Sequence, residues 1–281
     1  MAMLSAQLAR AMHVTPFEPF GAEVTSISRA ARSDLRAALD EHGLLLLRRQ
    51  RMDAADHIAL AELFGNVFPL PSRFQHERSP IPQSILRISN DADEGFRGVG
   101  TSGWHIDGIS YSTPFQVSLM RIIHASNDGP TLFLPLRPLA ERMYTNAYWD
   151  GIWACCGRGD GVVQHPLLFT HPRTQAPAVC LGKINGFAWD VGTSYARNAS
   201  AGETEARLRE LSTELASFCE APNALIYRHE WQDGDVIVFD NLAVAHLAPP
   251  ETQQPREVSG LRVLDRVVVA GTEPLLPYSE C

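Results

Sequence analysis

The sequence contains little cysteine and no cysteine motif that would hold a metal. Its 281 residues include five cysteines, at positions 155, 156, 180, 219 and 281, and no two of them have the CxxC spacing. Scattered cysteines in odd number do not favour a disulfide framework or a structural zinc site. We therefore expect the fold to depend on an ordinary hydrophobic core.

Long apolar segments and basic stripes are also missing. The longest apolar runs, such as Leu44–Leu47 and Val267–Ala270, have the length of strands and fall far short of the ~20 residues that span a bilayer. The chain does not open with a secretory signal pattern, and its net charge is −8. These features argue against membranes and nucleic acid as partners. We expect a cytoplasmic protein that acts on a small molecule, with a homo-oligomer left open.

The apolar pattern predicts a mainly β core with flanking helices. Helical spacing is present over Ser28–His42, from Asp53 as N-cap to Leu63, and over Glu203–Phe218. Short apolar runs separated by turn residues recur from Phe115 onward, which is typical of an antiparallel sandwich or barrel. No linker divides the chain, so we expect a single domain over residues 1–281.

The sharpest local feature is Trp104-His105-Ile106-Asp107-Gly108. In a strand, His105 and Asp107 would project from the same face, and together they could take two adjacent positions on a divalent metal. H-x-D alone is a weak signal, and a structural histidine remains the alternative. A third ligand could come from His246, which follows the apolar run Val236–Phe239 and the pair Asp240-Asn241.

Two arginines, Arg262 and Arg266, lie in an apolar run near the C-terminus. In a strand they would share one face, and a buried guanidinium needs an anionic partner. That partner could be a carboxylate co-substrate or an acidic substrate, because arginine binds carboxylates through two parallel hydrogen bonds. An internal salt bridge to an aspartate such as Asp265 or Asp235 is the alternative.

In these segments and several others, the chain resembles the TauD/TfdA family of Fe(II)/2-oxoglutarate-dependent dioxygenases. The resemblance covers nearly the whole chain, and its elements are His42–Gln50, Phe64-Gly65, Trp104–Asp107, Gly129–Thr131, Thr170–Pro172, Trp231–Asp235, Asp240-Asn241, His246 and the pair Arg262 and Arg266. It implies a double-stranded β-helix, or jelly roll, of the α+β class with a mainly β core. It also implies Fe(II), 2-oxoglutarate and O₂ as cofactor and co-substrates.

The resemblance further implies roles for individual residues. His105, Asp107 and His246 would bind Fe(II), and Thr131 and Arg262 would hold the far carboxylate of 2-oxoglutarate. Substrate-binding candidates are Arg266, Trp104, Phe187 and Thr101, the last within the loop 89–103. The implied reaction oxidises a C–H bond of a small carboxylate-bearing or amino-acid-derived metabolite, by hydroxylation, desaturation or cyclisation, while 2-oxoglutarate becomes succinate.

Some features depart from the family pattern or leave alternatives open. Fifteen residues separate His246 from Arg262, more than is usual, so Arg256 is a rival for the co-substrate role. The histidine and tyrosine that taurine enzymes place after Phe-Gly are not found, which argues against a sulfonate substrate. A weaker resemblance, around Tyr111 and Pro114–Val117, is to members acting in isonitrile and other natural-product biosynthesis. A zinc-dependent hydrolase or isomerase, or a non-catalytic binding protein on the same fold, remains an alternative.

Overall fold

The computed structural model describes residues 12–25, 32–101, 103–156, 162–182, 193–196 and 204–279. The helices are α1 (Arg32–His42), α2 (Ala54–Glu62), α3 (Leu136–Tyr144), α4 (Thr204–Cys219) and α5 (Arg256–Ser259). The strands are β1 (His13–Pro16), β2 (Ala22–Thr25), β3 (Leu44–Leu47), β4 (Leu86–Ser89), β5 (Val117–His124), β6 (Thr131–Pro135), β7 (Trp153–Cys156), β8 (Val163–Pro166), β9 (Leu168–Thr170), β10 (Pro177–Val179), β11 (Thr193–Ala196), β12 (Tyr227–His229), β13 (Val236–Asp240), β14 (Val244–Leu247), β15 (Val263–Val269) and β16 (Leu276–Pro277). Among these described residues, no helix is both long enough and apolar enough to cross a membrane.

The central element is a seven-stranded sheet in the order β1-β2-β3-β13-β5-β15-β4, which is antiparallel except for the β2–β3 pair. Three-stranded sheets accompany it, in the orders β12-β6-β14, β10-β9-β16 and β11-β7-β8. The expectation of a mainly β jelly roll with flanking helices is confirmed.

The two faces of the large sheet are both covered. Leu45 and Leu47 of β3 point to the face on which α1 and α2 pack, whereas Leu44 and Leu46 point to the opposite face, which packs on β6 and β14. Strands buried on both faces read as continuous apolar runs, and all four leucines of β3 are buried. The face toward β6 and β14 is the one that contains the candidate site.

The predicted boundaries of the first elements agree with the structure. Helix α1 ends at Gly43, whose N–H donates to Leu39 at 2.8 Å and whose φ is +70°. Helix α2 begins after Asp53, which forms a capping box with Asp56. The helix predicted over Ser28–His42 is observed from Arg32, since residues 26–31 lie outside the described part of the chain.

Helix α3 was not predicted. It begins after Pro135 with no side-chain cap, and Pro138 lies in its first turn. A proline is tolerated there because the first N–H groups of a helix have no partner within the helix. The missing cap and the proline removed the usual sequence signals of a helix start. Leu139, Ala140 and Met143 nevertheless have the spacing of a buried helical face.

Candidate active site

A backbone bridge joins the segments that carry the two histidines. The N–H of His105 donates to the carbonyl of His246 at 3.2 Å, and the N–H of His246 donates to the carbonyl of His105 at 3.0 Å. Strand β14, which contains His246, is itself paired to β6. The two imidazole rings therefore lie side by side, with centroids 4.2 Å apart.

Asp107 does not lie in a strand, and the predicted strand over the H-x-D segment is wrong in this respect. Only His105 forms a bridge, and a turn begins at Asp107. Gly108 has a φ of +81°, and a Cβ at this position would lie 2.8 Å from the backbone nitrogen of Phe115. The predicted alternation nevertheless holds, because Ile106 is buried in an apolar cluster.

Three ligand groups converge at this point. One donor atom from each of His105, Asp107 and His246 lies within 4.8 Å of the others, and all three residues are buried. The Nε2 atoms of His105 and His246 lie 3.9 Å and 3.5 Å from the Asp107 carboxylate. Two imidazoles and a carboxylate in this arrangement fit a divalent metal bound on one face, with further positions left for small ligands.

A hydrogen bond sets the orientation of the His105 ring. Its Nδ1 lies 2.8 Å from the carbonyl oxygen of Gly103. A carbonyl oxygen only accepts, so Nδ1 carries a proton and donates it to Gly103, while Nε2 faces the Asp107 carboxylate. This is the arrangement found in histidines that bind metals, where the second ring nitrogen is held by an acceptor.

Beside the triad lies a cavity with a cationic end. Its walls are formed by Ile88, Val99, Gly100, Met120, Thr131, His246, Ala248, Arg262, Leu264 and Arg266. Arg262 is 3% exposed, and burial lowers the pKa of its guanidinium to about 10. Its Nε donates to the carbonyl of Gly129 at 3.1 Å, and it forms no ion pair with any carboxylate of the described residues.

The Thr131 hydroxyl has a fixed orientation in this cavity. The indole N–H of Trp231 donates to Oγ1 of Thr131 at 3.0 Å, and both residues are buried. The hydroxyl oxygen accepts this bond, so its own proton is available to an acceptor in the cavity. Thr131 and Arg262 therefore offer two donors to an anion.

The family model described as "Taurine catabolism dioxygenase TauD, TfdA family" matches residues 13–263. The chain belongs to this family. It is 25% identical to the (S)-phenoxypropionate/alpha-ketoglutarate-dioxygenase of Sphingobium herbicidovorans, over 85% of this chain and 90% of that protein. It is 24% identical to the pentalenolactone F synthase of Streptomyces arenae, over 92% and 93% of the two chains.

Solved structures agree with the fold. The structure of a putative alpha-ketoglutarate-dependent taurine dioxygenase from Burkholderia xenovorans superposes with a TM-score of 0.73, at 23% identity over 94% of this chain and 91% of that one. As a TauD/TfdA protein with these relatives, the chain is a 2-oxoglutarate-dependent oxygenase that uses O₂.

In this TauD/TfdA protein, Arg266 contacts the triad directly. Its Nη1 donates to both carboxylate oxygens of Asp107, at 2.9 Å and 2.8 Å. The internal pairing that the sequence left open is therefore present, although its partner is not Asp265 or Asp235. Those two aspartates pair instead with Arg87 and Arg48. A role of Arg266 toward substrate stays a prediction.

The rival arginine, Arg256, lies at the surface. It belongs to the short helix α5, and its Nη1 donates to Asp91 at 2.8 Å. The residues between His246 and Arg262 fold into a 3-10 turn at Pro250–Gln253 followed by α5. This segment accommodates the unusual spacing and leaves Arg262, and not Arg256, in the cavity.

Of the other substrate-binding candidates, the two that the structure describes, Trp104 and Thr101, do not line the cavity. Trp104 is buried in an apolar cluster against which Cys219 of α4 also packs. Thr101 donates through its hydroxyl to the carbonyl of Gly98 at 3.0 Å. Phe187 lies outside the described residues. Their predicted contact with substrate is not tested by these positions, whereas Val99 and Gly100 of the same loop do face the cavity.

Several residues around the triad had no role in the sequence analysis. Ser118 on β5 lies 3.4 Å from the Asp107 carboxylate, and the amide of Asn241 bonds to the Asp107 backbone. The pair Asp240-Asn241 and the tryptophan at 231 were visible as family-like motifs, but their contacts depend on how distant segments meet. No local pattern could have revealed them.

Proposed function

We propose that this protein is an Fe(II)- and 2-oxoglutarate-dependent oxygenase that oxidises a C–H bond of a small metabolite bearing a carboxylate or derived from an amino acid. The observation that carries the proposal is Arg262, a buried guanidinium without a carboxylate partner among the described residues, facing a cavity that His246 also lines. A buried charge of this kind is costly unless an anion compensates it. A dicarboxylate co-substrate would supply that anion.

The metal would be held by His105, Asp107 and His246. Their donor set suits iron(II) with open positions, and the Gly103 carbonyl keeps the His105 ring in the required orientation. When iron and 2-oxoglutarate are bound, they supply the oxidation, in which O₂ is consumed and succinate and CO₂ are formed. The protein itself would bind the metal and 2-oxoglutarate, orient the substrate and exclude water from the site.

The far carboxylate of 2-oxoglutarate would lie against Thr131 and Arg262. The Trp231 N–H leaves the Thr131 hydroxyl proton to the carboxylate, and Arg262 contributes a charge-assisted bond. The aliphatic walls at Met120 and Leu264 would accommodate the methylene groups between the two ends. Arg256 is paired at the surface and has no part in this proposal.

Arg266 supports an acidic substrate. It lies at the cavity wall beside Asp107, with a side chain that is 12% exposed. Its guanidinium could contact Asp107 through Nη1 and still present its other nitrogens to a carboxylate. The name of the Sphingobium relative includes a carboxylate substrate, phenoxypropionate. Trp104, Thr101 and Phe187 are the other residues proposed to contact the substrate. Hydroxylation is the expected reaction.

The proposal is tested by anaerobic titration of the metal-free protein with Fe(II) and then 2-oxoglutarate. We expect a weak charge-transfer band near ~500–530 nm, since the keto acid would chelate iron at an open site. Asp107→Ala should abolish both the band and Fe(II)-dependent succinate formation. Iron binding without a band would contradict the 2-oxoglutarate assignment, and activity that needs zinc but neither O₂ nor 2-oxoglutarate would indicate a hydrolase or isomerase.

A further inference from the structure

The two histidines and the aspartate are held in place by different means. His105 and His246 share two backbone hydrogen bonds, so the position of one histidine fixes the other. Asp107 lies beyond this bridge, in a turn, where no strand of the described residues pairs with its backbone. Something other than a sheet must therefore hold the Asp107 backbone.

The side chain of Asn241 makes these contacts. Its Oδ1 accepts from the N–H of Asp107 at 2.8 Å, and its Nδ2 donates to the carbonyl of Asp107 at 2.9 Å. The same Nδ2 donates to the carbonyl of Phe115 at 2.7 Å. Asn241 is fully buried, so these bonds are shielded from water and their geometry is well defined.

The backbone of Asn241 is fixed as well. Its N–H donates to the carbonyl of Gln116 at 3.1 Å, and it follows Asp240, the last residue of β13. The turn from β13 leads directly into β14, which carries His246. One short segment thus holds Asp107 through an amide side chain and supplies the histidine opposite.

We propose that Asn241 is a positioning residue that sets the Asp107 carboxylate against His105 and His246 and thereby determines metal affinity. The inference rests on the proposed metal site. Asparagine suits this task because one amide group both accepts and donates, as a strand neighbour would. Residues that orient metal ligands through hydrogen bonds commonly change metal affinity about 10–100-fold when they are replaced.

The chain contains a matched control, Asn90. It is 3% exposed, its Oδ1 accepts from the N–H of Arg262 at 2.8 Å, and its Nδ2 donates to the carbonyls of Gln254 and Gly260, each at 2.9 Å. Replacing Asn90 by alanine thus removes three side-chain hydrogen bonds to the backbone, as many as replacing Asn241 removes. The difference is that Asn90 holds the Arg262 backbone and not the Asp107 backbone.

The experiment measures Mn(II) binding to the metal-free wild type, N241A and N90A by the paramagnetic resonance signal of free Mn(II). We expect N241A to weaken Mn(II) binding at least about 10-fold and N90A to change it less than about 3-fold. The melting temperatures of the two variants should fall by similar amounts. Should N241A not fold, N241S is used, whose hydroxyl can replace only part of the amide contacts. A Co(II) absorption spectrum altered in N241A but not in N90A would show a changed ligand geometry.

The outcomes separate this inference from the proposed function. If wild-type protein binds no Mn(II), the metal site itself is wrong. If the wild type binds and N241A binds equally well, or if both asparagine variants lose affinity equally, Asn241 has no positioning role. Failure of both N241A and N241S to fold while N90A folds would show a role in folding, and it would also overturn the proposal.

Discussion

At the scale of single residues, the site contains one arginine that is paired with a carboxylate and one that is not. Asp107 is neutralised by Arg266, whereas Arg262 donates to the carbonyl of Gly129 and pairs with no carboxylate among the described residues. If every charged group in the site were paired internally, an anion would gain little by binding there. If many charged groups were unpaired, their burial would destabilise the fold. We therefore expect the Arg262 guanidinium, which has no carboxylate partner in the described part of the chain, to give the cavity a preference for a carboxylate.

Sequence and resemblance were sufficient to select the residues that line this site. Spacing and apolar surroundings pointed to His105, Asp107 and His246, and the family resemblance added the roles of Thr131 and Arg262. The structure brings the first three together and places the other two in the adjoining cavity. The pairing of Arg266 with Asp107 could not be predicted, because the sequence has 32 aspartates and glutamates and does not show which of them lies beside a given arginine. The hydrogen bonds of Asn241 to the Asp107 backbone could not be predicted either, because they form only where the end of β13 packs against the turn that contains Asp107.

His57 is the residue for which a pH effect is expected. It lies fully buried on α2, and burial, with a smaller effect of Arg121, lowers its pKa from 6.5 to about 3. The unfolded chain takes up a proton below pH 6.5 while the folded one does not, so stability falls as the pH drops from 6.5 toward 3. From pH 6.5 to 5 the loss from this group is about 1.6 kcal/mol, since the unfolded histidine is already half protonated at pH 6.5.

Urea unfolding of the wild type and of His57→Leu at both pH values measures this effect. Other groups also titrate in this range, but they are common to both proteins and cancel in the difference. The wild type should lose more stability than the variant between pH 6.5 and 5. Parallel losses in the two proteins would show that His57 is protonated in the folded state or lies in a more polar place.

At the scale of elements, local signals decided what could be predicted. Helix α2 has a complete capping box at Asp53 and Asp56, and its start was predictable to the residue. Helix α3 has no side-chain cap and contains Pro138, and it was missed. Short strands such as β9 and β12, each three residues long, carry too little pattern to be recognised.

The capping box of α2 makes a prediction at this scale. Asp53→Ala removes the acceptor for the Asp56 N–H, so we expect a loss of about 1 kcal/mol in the free energy of unfolding and a melting temperature lower by roughly 2–4 °C. Mn(II) affinity should not change, because α2 packs on the face of the large sheet opposite the site. Asp53→Ser, which can still cap the helix, should retain most of the stability; an equal loss in Asp53→Ser and Asp53→Ala would contradict the capping role.

At the scale of the whole molecule, the mainly β fold was predictable from recurring short apolar runs and from the family resemblance. The order of strands in the large sheet was not, because β13 lies between β3 and β5 although it follows them by more than a hundred residues. Such pairings are set by contacts between distant segments. The site depends on them, since it draws on β6 and β14 of one sheet and on β15 of the other.

A ligand in this cavity would therefore join two sheets and should stabilise the whole fold. Binding to the native state alone adds about 2.7 kcal/mol when the ligand is at 100 times its dissociation constant. We expect Mn(II) to raise the melting temperature, and 2-oxoglutarate to raise it further under anaerobic conditions. Differential scanning calorimetry measures both increments.

Variants at two arginines show which residue is responsible for the increase in melting temperature caused by 2-oxoglutarate. Arg262→Gln should retain the increment from Mn(II) and lose the one from 2-oxoglutarate, because it removes the contact to the carboxylate and leaves the three metal ligands in place. Arg256→Gln, which breaks a surface ion pair with Asp91, should retain both. If Arg256→Gln instead abolished the 2-oxoglutarate increment and Arg262→Gln did not, the co-substrate would be held at the surface segment of α5, and the buried guanidinium would need another anion.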